Sequence, residues 1–123
     1  MSTTKTTTIG AIERFNDAFN RHDVDAVMAA MTDDCVFENT SPSPDGERYE
    51  GQAAVRAFWE QFFAGSPNAK FDTEDIFAAD DRGVVRWRYT WVGSDGKPGH
   101  VRGVDVFRIR DGKVAEKLAY VKG

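Results

Sequence analysis

Asp105 is the residue of this chain whose type and position best suit chemistry. It lies in the alternating segment 101–110, on the side that also carries Val101, Phe107 and Ile109. A carboxylate among apolar side chains is poorly solvated, so its pKa should rise unless a cation pairs with it. In the neutral form it would donate a hydrogen bond to a developing oxyanion, and in the ionised form it would act as a base. The structural alternative is an ion pair, or a sheet edge exposed to water.

The last predicted strand, residues 113–121, brings a second charged side chain to the same side. Either Glu116 or Lys117 must face inward, and a slip of one residue in the hairpin exchanges them. An inward Lys117 would pair with Asp105, keep it ionised and lower its pKa. The residues alone leave both orientations open.

Large aromatic side chains recur on the predicted helices and strands. One strand places three of them on one face, because Trp87, Tyr89 and Trp91 follow a period of two. Each buries ~150–250 Å², so a small fold seldom needs this many merely to fill its core. We therefore predict an aromatic wall around a flat, apolar ligand. The predicted wall comprises Phe15, Phe19, Tyr49, Phe58, Trp59, Phe62, Trp87, Tyr89, Trp91 and Phe107.

Asn39 and Tyr49 lie on either side of a predicted loop, residues 41–46. Asn39 should point the same way as Phe37, where it could orient a water molecule or hold a ligand carbonyl. An asparagine at a strand end also bonds readily to its own loop, and both interpretations stay open. Tyr49 would either place its hydroxyl at the mouth of a pocket or form part of its wall.

Other kinds of site find little support in the sequence. His22 and His100 are the only histidines, both are expected in exposed turns, and two distant histidines do not make a zinc site. There is no glycine-rich phosphate loop and no nucleophile elbow. Cys35 lies in an apolar stretch, which favours a buried structural thiol. We predict no metal and no cofactor.

The composition narrows the range of partners. Acidic residues outnumber basic ones by 20 to 16 over 123 residues, and the basic residues are dispersed, which argues against nucleic acid. No apolar run is long enough to cross a membrane. Residues 1–8 lack the apolar core of a signal peptide and are expected to form a flexible tail before a single domain, residues 9–123. With one cysteine and no export signal, the expected location is the cytoplasm.

Three helical patterns precede the strands. The first spans residues 8–21, the second follows the N-cap Asp23, and the third begins near Gly51. A short strand over residues 35–39 lies between the second and third helices. Four further strands follow from Phe71 onward, and Asp111-Gly112 has the chemistry of a two-residue hairpin turn. The apolar stripes of the second and third helices are Val24, Val27, Met28 and Met31, and Val55, Phe58, Trp59 and Phe62.

Helices followed by a long antiparallel meander predict an α+β fold, whose twisted sheet can curl around the helices. Four stretches, taken in order, resemble the NTF2-like superfamily in its SnoaL-like form: residues 14–27, 31–37, 49–58 and 103–114. The resemblance implies an α+β cone, in which a curved antiparallel sheet wraps three N-terminal helices around an internal pocket. It also implies a homodimer through the outer face of the sheet, and a strand phase in which Lys117 faces inward.

Within this superfamily the sequence looks closest to ketosteroid isomerase. That enzyme uses an aspartate base and an oxyanion hole made of a tyrosine and a protonated aspartate. The oxyanion aspartate falls on Asp105, the base falls on Asn39 and the tyrosine falls on Phe15. Asparagine cannot act as a base and phenylalanine cannot donate a hydrogen bond, so one of three catalytic positions is matched. Phe58 and Trp87 fall on apolar pocket positions.

Two functions of different classes are compatible with these residues. The first is a cofactor-independent isomerase, hydrolase or cyclase that uses general acid–base chemistry on a small apolar carbonyl, epoxide or polyketide-like compound. Asp105 and Asn39 would be its catalytic residues, and the retained Asp105 favours it. The second is a non-catalytic ligand-binding or dimeric interaction module of the same fold, which Phe15 and Asn39 favour.

Overall fold

Three helices and six strands make up the part of the chain that the computed structural model describes, which is residues 3–122 for the backbone and 8–122 for the side chains. The predicted α+β class is confirmed. Met1 and Ser2, which begin the predicted tail, and Gly123 lie outside the described residues. The elements in chain order are α1 (Thr3–Asn20), α2 (Val24–Ala29), β1 (Met31–Glu38), β2 (Arg48–Glu50), α3 (Gln52–Gly65), β3 (Lys70–Ala79), β4 (Arg82–Val92), β5 (Pro98–Arg110) and β6 (Lys113–Val121).

Helix α1 begins earlier than the sequence predicts. It starts at Thr3, and Thr8, the last residue of the predicted tail, is buried. The Thr8 hydroxyl donates a hydrogen bond of 2.6 Å to the carbonyl oxygen of Asp80, in the turn between β3 and β4. Helix α1 therefore includes residues 3–8 of the predicted tail.

Helix α2 is short and ends before the last residue of its predicted stripe. Asp23 caps it as predicted, since its side chain accepts a hydrogen bond from the Ala26 backbone N–H. The backbone leaves the helix at Ala30, so Met31 is the first residue of β1 and not part of the helix. Met31 is nevertheless buried, because the new strand keeps it facing the core.

The six strands form one sheet in the order β2-β1-β6-β5-β4-β3. Neighbouring strands are antiparallel, except that β1 pairs in parallel with β6. The hairpin between β5 and β6 turns at Asp111 and Gly112, with φ of 55° and 74°. This left-handed pair confirms the predicted two-residue turn.

The two faces of β5 differ as the alternation predicts. Asp105, Phe107 and Ile109 are buried, while Val104 and Val106 are half-buried on the outer face. Helices α1 and α3 cover the inner face with an aromatic core. Cys35 is a free, buried thiol as predicted, and burial raises its pKa. None of the described helices combines the length and apolar character needed to cross a membrane.

Candidate active site

A cavity of about 240 Å³ lies between the inner face of the sheet and helices α1 and α3. It extends to the exposed Ser41 in the loop after β1. Six residues of the predicted aromatic wall line it: Phe19, Phe58, Trp59, Phe62, Trp87 and Tyr89. Phe37 and Phe71 line it as well, although the sequence did not single them out as site residues. The signal for Phe37 was its alternation with Asn39 on the short strand.

Asp105 and Lys117 form an ion pair at the wall of this cavity. The Lys117 Nζ lies 3.3 Å from the Asp105 Oδ2, and the two side chains are only 8% and 6% exposed. Strand β6 brings Lys117 inward opposite Phe107, while Glu116 lies opposite Arg108 on the outer face. The inward orientation of Lys117, which the resemblance implied, is the one observed.

The pKa of Asp105 is raised, and burial is the main cause. The Lys117 ammonium and the Trp87 indole oppose this effect without cancelling it. Pairing with Lys117 was expected to bring the pKa of Asp105 below its ordinary value, and that expectation is wrong because burial outweighs the effect of the ammonium. The charge of the carboxylate is only partly compensated, since its Oδ1 is buried and makes no hydrogen bond of normal geometry.

The ammonium of Lys117 lies among aromatic rings. Its Nζ is 4.9 Å from the ring centroid of Phe37, 5.5 Å from that of Trp59 and 5.7 Å from that of Phe19. These distances are in the range of cation–π attraction. The rings therefore supply part of the stabilisation that water would give an exposed ammonium.

Three buried polar atoms of cavity-lining residues make no hydrogen bond of normal geometry: the Asp105 Oδ1 and the indole Nε1 atoms of Trp59 and Trp87, although the Trp87 indole is close enough to the carboxyl to lower its pKa. Buried polar groups are usually paired, so such a cluster marks a place where a ligand or water completes the bonding. A second, narrow cavity of about 20 Å³ reaches the same ion pair from the side of Asn16 and Asn20. It has room for about one water molecule.

Asn39 and Tyr49 have different positions relative to the cavity. Asn39 lines it, and its Oδ1 accepts a hydrogen bond of 2.8 Å from the Thr40 backbone N–H, as the loop-bonding alternative proposed. Tyr49 lies behind the lining, with its ring against Phe37 and Phe58. The Tyr49 hydroxyl is bonded to Glu47 at 3.2 Å.

Three other residues of the predicted wall do not line the main cavity. Phe15 and Phe107 are fully buried and meet edge to face at 5.8 Å in the core, because α1 packs Phe15 directly onto β5. Trp91 is 36% exposed, near the end of β4, where it lines a separate groove with Val92 and Val101. The prediction that these three line the same pocket is therefore wrong.

The histidines are not placed as metal ligands. His22 is half-buried, not exposed as predicted, because its ring stacks on Phe63 at 4.6 Å and its Nε2 lies 2.9 Å from the Ala69 carbonyl oxygen. His100 is exposed. Among residues 8–122, no three histidine, cysteine, aspartate or glutamate side chains gather as potential metal ligands.

Sequence comparison agrees with this architecture. The family model of the SnoaL-like domain matches residues 12–117. The chain therefore belongs to the SnoaL-like family, within the NTF2-like fold of a curved sheet around three helices. No protein with a curated description matches the sequence.

Solved structures share the fold over nearly the whole chain. An NTF2-like protein of unknown function from Mesorhizobium loti is 41% identical, with a TM-score of 0.81 over 97% of this chain and 93% of its own. A protein from Jannaschia sp. CCS1, provisionally assigned as a SnoaL-like polyketide cyclase, is 23% identical, with a TM-score of 0.83 over 99% and 90%. A protein from Kribbella flavida, provisionally assigned as a ketosteroid isomerase, is 17% identical, with a TM-score of 0.81 over 97% and 80%.

Proposed function

We propose that this protein binds a small, largely apolar carbonyl compound in the aromatic cavity and catalyses a cofactor-independent proton transfer on it. The observation that carries the proposal is the buried pair of Asp105 and Lys117 at the cavity wall. A carboxyl with a raised pKa is suited to exchange protons nearer to neutral pH than an ordinary aspartate. Isomerisation, hydrolysis and cyclisation of carbonyl compounds all include such a transfer.

Each residue of the cavity would have its own role in the proposed proton transfer. The Asp105 Oδ1, which makes no hydrogen bond of normal geometry, removes or returns the proton beside the carbonyl group. The Lys117 ammonium stabilises the oxyanion that develops as the proton leaves. The aromatic walls exclude bulk water, which strengthens both interactions. Asn39, at the edge of the cavity, orients the substrate or a water molecule.

Hydrogen–deuterium exchange on a ketone tests this proposal. The protein is incubated in deuterated buffer with 2-tetralone, and exchange beside the carbonyl is followed by proton NMR. We expect catalysed exchange, which Asp105→Asn reduces by about 10²–10⁴-fold. Glu116→Gln is the matched control, because Glu116 is a carboxylate on the outer side of the neighbouring strand. Exchange that is equally fast with Asp105→Asn would contradict the proposed role.

A second candidate is a ligand-binding module without turnover. It is favoured by Asn39, whose carbonyl oxygen is already bonded to its own loop, and by Phe15, which lies in the core instead of at the site. In that case 2-tetralone binds to the protein and to Asp105→Asn, and neither accelerates exchange. Calorimetric binding measured beside the exchange rate separates the two candidates.

A further inference from the structure

We propose that Lys117 is a nucleophile, and that its amine forms an iminium with an aldehyde or ketone held in the cavity. This inference rests on the cavity of the proposed function, but it assigns Lys117 a covalent role in place of a purely electrostatic one. The bound compound would be joined to the protein by a carbon–nitrogen bond during turnover. The class of ligand is a small apolar carbonyl compound whose reactive carbon reaches the Lys117 Nζ.

The position of Lys117 distinguishes it from the other lysines with described side chains, residues 70, 97, 113 and 122. Those four are exposed, while Lys117 is buried and lines the cavity. A lysine attacks a carbonyl only as the neutral amine, so it needs a nearby group to take its proton. The Asp105 Oδ2 lies 3.3 Å from the Nζ and is the acceptor for that proton.

The chemistry balances with these two residues and the substrate alone. Asp105 takes a proton from the ammonium, the neutral amine attacks the carbonyl carbon, and Asp105 returns the proton to the oxygen as the carbon–oxygen π bond breaks. Asp105 then removes a second proton from nitrogen and delivers it to the hydroxyl group, which leaves as water while the carbon–nitrogen double bond forms. The ammonium and the carbonyl compound have become an iminium and one water, with no oxidant or reductant.

The surroundings of Lys117 suit the product as well as the reactant. The iminium carries the same single positive charge at the same place, so the rings of Phe19, Phe37 and Trp59 continue to face a cation. Asp105 is a carboxylate again and remains beside it. The apolar remainder of the substrate extends into the aromatic cavity, away from the ion pair.

Formation of the iminium would also assist the proposed proton transfer. A positively charged nitrogen withdraws electrons from the adjacent carbon and acidifies its hydrogen more than a neutral carbonyl does. The Asp105 Oδ1 makes no hydrogen bond of normal geometry in the protein and can take that hydrogen as a proton. The electron pair of the broken carbon–hydrogen bond then forms a neutral enamine. Because Asp105 becomes neutral at the same time, the net charge of the two groups does not change.

Reductive trapping tests the proposal directly. The protein is treated with limiting benzaldehyde and sodium cyanoborohydride at neutral pH, and peptide mass mapping locates the benzyl group. We expect Lys117 to be labelled before any exposed lysine. Asp105→Asn should lower the labelling rate at Lys117 by at least about tenfold, because it removes the acid–base group. Labelling confined to the exposed lysines would overturn the proposal.

Matched variants and a binding control keep the outcomes distinct. Lys113→Met removes an exposed lysine of the same strand and should leave the label on Lys117 unchanged, while Lys117→Arg keeps a cation but abolishes the label. Circular dichroism verifies that each variant folds. Binding of unreactive 2-phenylethanol is measured by calorimetry. If the alcohol binds and Lys117 is not labelled, the covalent role is wrong while the cavity of the proposed function stands; if neither occurs, both proposals fail.

Discussion

Asp105 and Lys117 carry opposite charges in a place where most neighbouring groups are aromatic rings. Both side chains are more than nine-tenths buried, and neither has access to enough water to be stable alone. Removing one partner of such a pair typically costs about 3–5 kcal/mol, because the remaining charge is left uncompensated. The pair is therefore a weak source of net stability but a strong constraint on which residues these two positions accept.

Lys117→Met should make stability depend more strongly on pH. Burial already raises the pKa of Asp105, and the variant removes the ammonium that opposes this effect, so the pKa should rise further. A carboxyl with a raised pKa in the folded state contributes stability that is present below its unfolded pKa and is lost as the pH rises through the folded value. We therefore expect the melting temperature of the variant to fall below that of the unaltered protein by more at pH 8 than at pH 5.

Thermal melts at several pH values between 5 and 8 provide this measurement. Lys113→Met is the control, because it removes an exposed lysine from the same strand and leaves the buried carboxyl paired. For this control we expect a difference in melting temperature that does not change with pH. A Lys117→Met variant whose loss of stability is the same at pH 5 and pH 8 would show that Asp105 does not titrate as a buried carboxyl.

At the scale of the elements, strands β4 and β5 pair two tryptophans with two glycines. Trp87 lies opposite Gly103, and Trp91 lies opposite Gly99. A Cβ on Gly103 would come 2.6 Å from two ring carbons of Trp87, and it would also collide with the Tyr120 carbonyl oxygen. The glycine thus leaves room for the indole of Trp87 to lie across the neighbouring strand, beside the Asp105 carboxyl.

Gly103→Ala should displace the Trp87 ring and destabilise the protein by ~1–3 kcal/mol, because overpacking forces neighbouring groups to move. Urea denaturation measures the stability, and the indole N–H resonance of Trp87 reports the ring position. Gly65→Ala is the control, since its added Cβ has open space. An unshifted Trp87 resonance in the Gly103→Ala variant would mean that the strand backbone moves and the indole does not.

The sequence predicts most elements because their patterns are local. The alternation in β4 and β5, the turn at Asp111-Gly112 and the cap at Asp23 each need only a few neighbouring residues. The sequence does not predict strand β2, because its three residues are too few to show the alternation that identifies a strand. The parallel pairing of β1 with β6 was not predicted either, because it joins residues far apart in the sequence.

The sequence likewise predicts those features of the candidate site that depend on local patterns. The alternation of residues correctly predicts that Asp105 is on the inner face of the sheet. It does not predict how far the cavity extends along that face. Trp91 therefore lies beyond the cavity, and Phe15 and Phe107 lie beneath it in the core. Which side chain fills space and which borders an opening depends on how α1 and α3 pack, and no local pattern determines that packing.

At the scale of the whole molecule, the outer face of the sheet carries an apolar row across three strands. Val84, Val106 and Leu118 lie in register on β4, β5 and β6, and all three are half-buried. Tyr120 extends the row and is 54% exposed. We propose that this face forms the homodimer interface that the family resemblance implies, since a mixed apolar and charged surface suits a contact between two identical faces.

Sedimentation velocity tests the dimer. At tens of micromolar protein we expect a dimer, and Val106→Glu should convert it to a monomer, because two copies of the new carboxylate would meet in a desolvated contact. Ala57→Glu is the control, since it adds the same charge at an exposed position of α3, away from the sheet. The cavity lies on the inner face, so Val106→Glu should leave the binding of 2-phenylethanol unchanged. A monomer at every concentration of the unaltered protein would contradict the proposed interface, and lost ligand binding in the Val106→Glu monomer would show that the cavity depends on the partner copy.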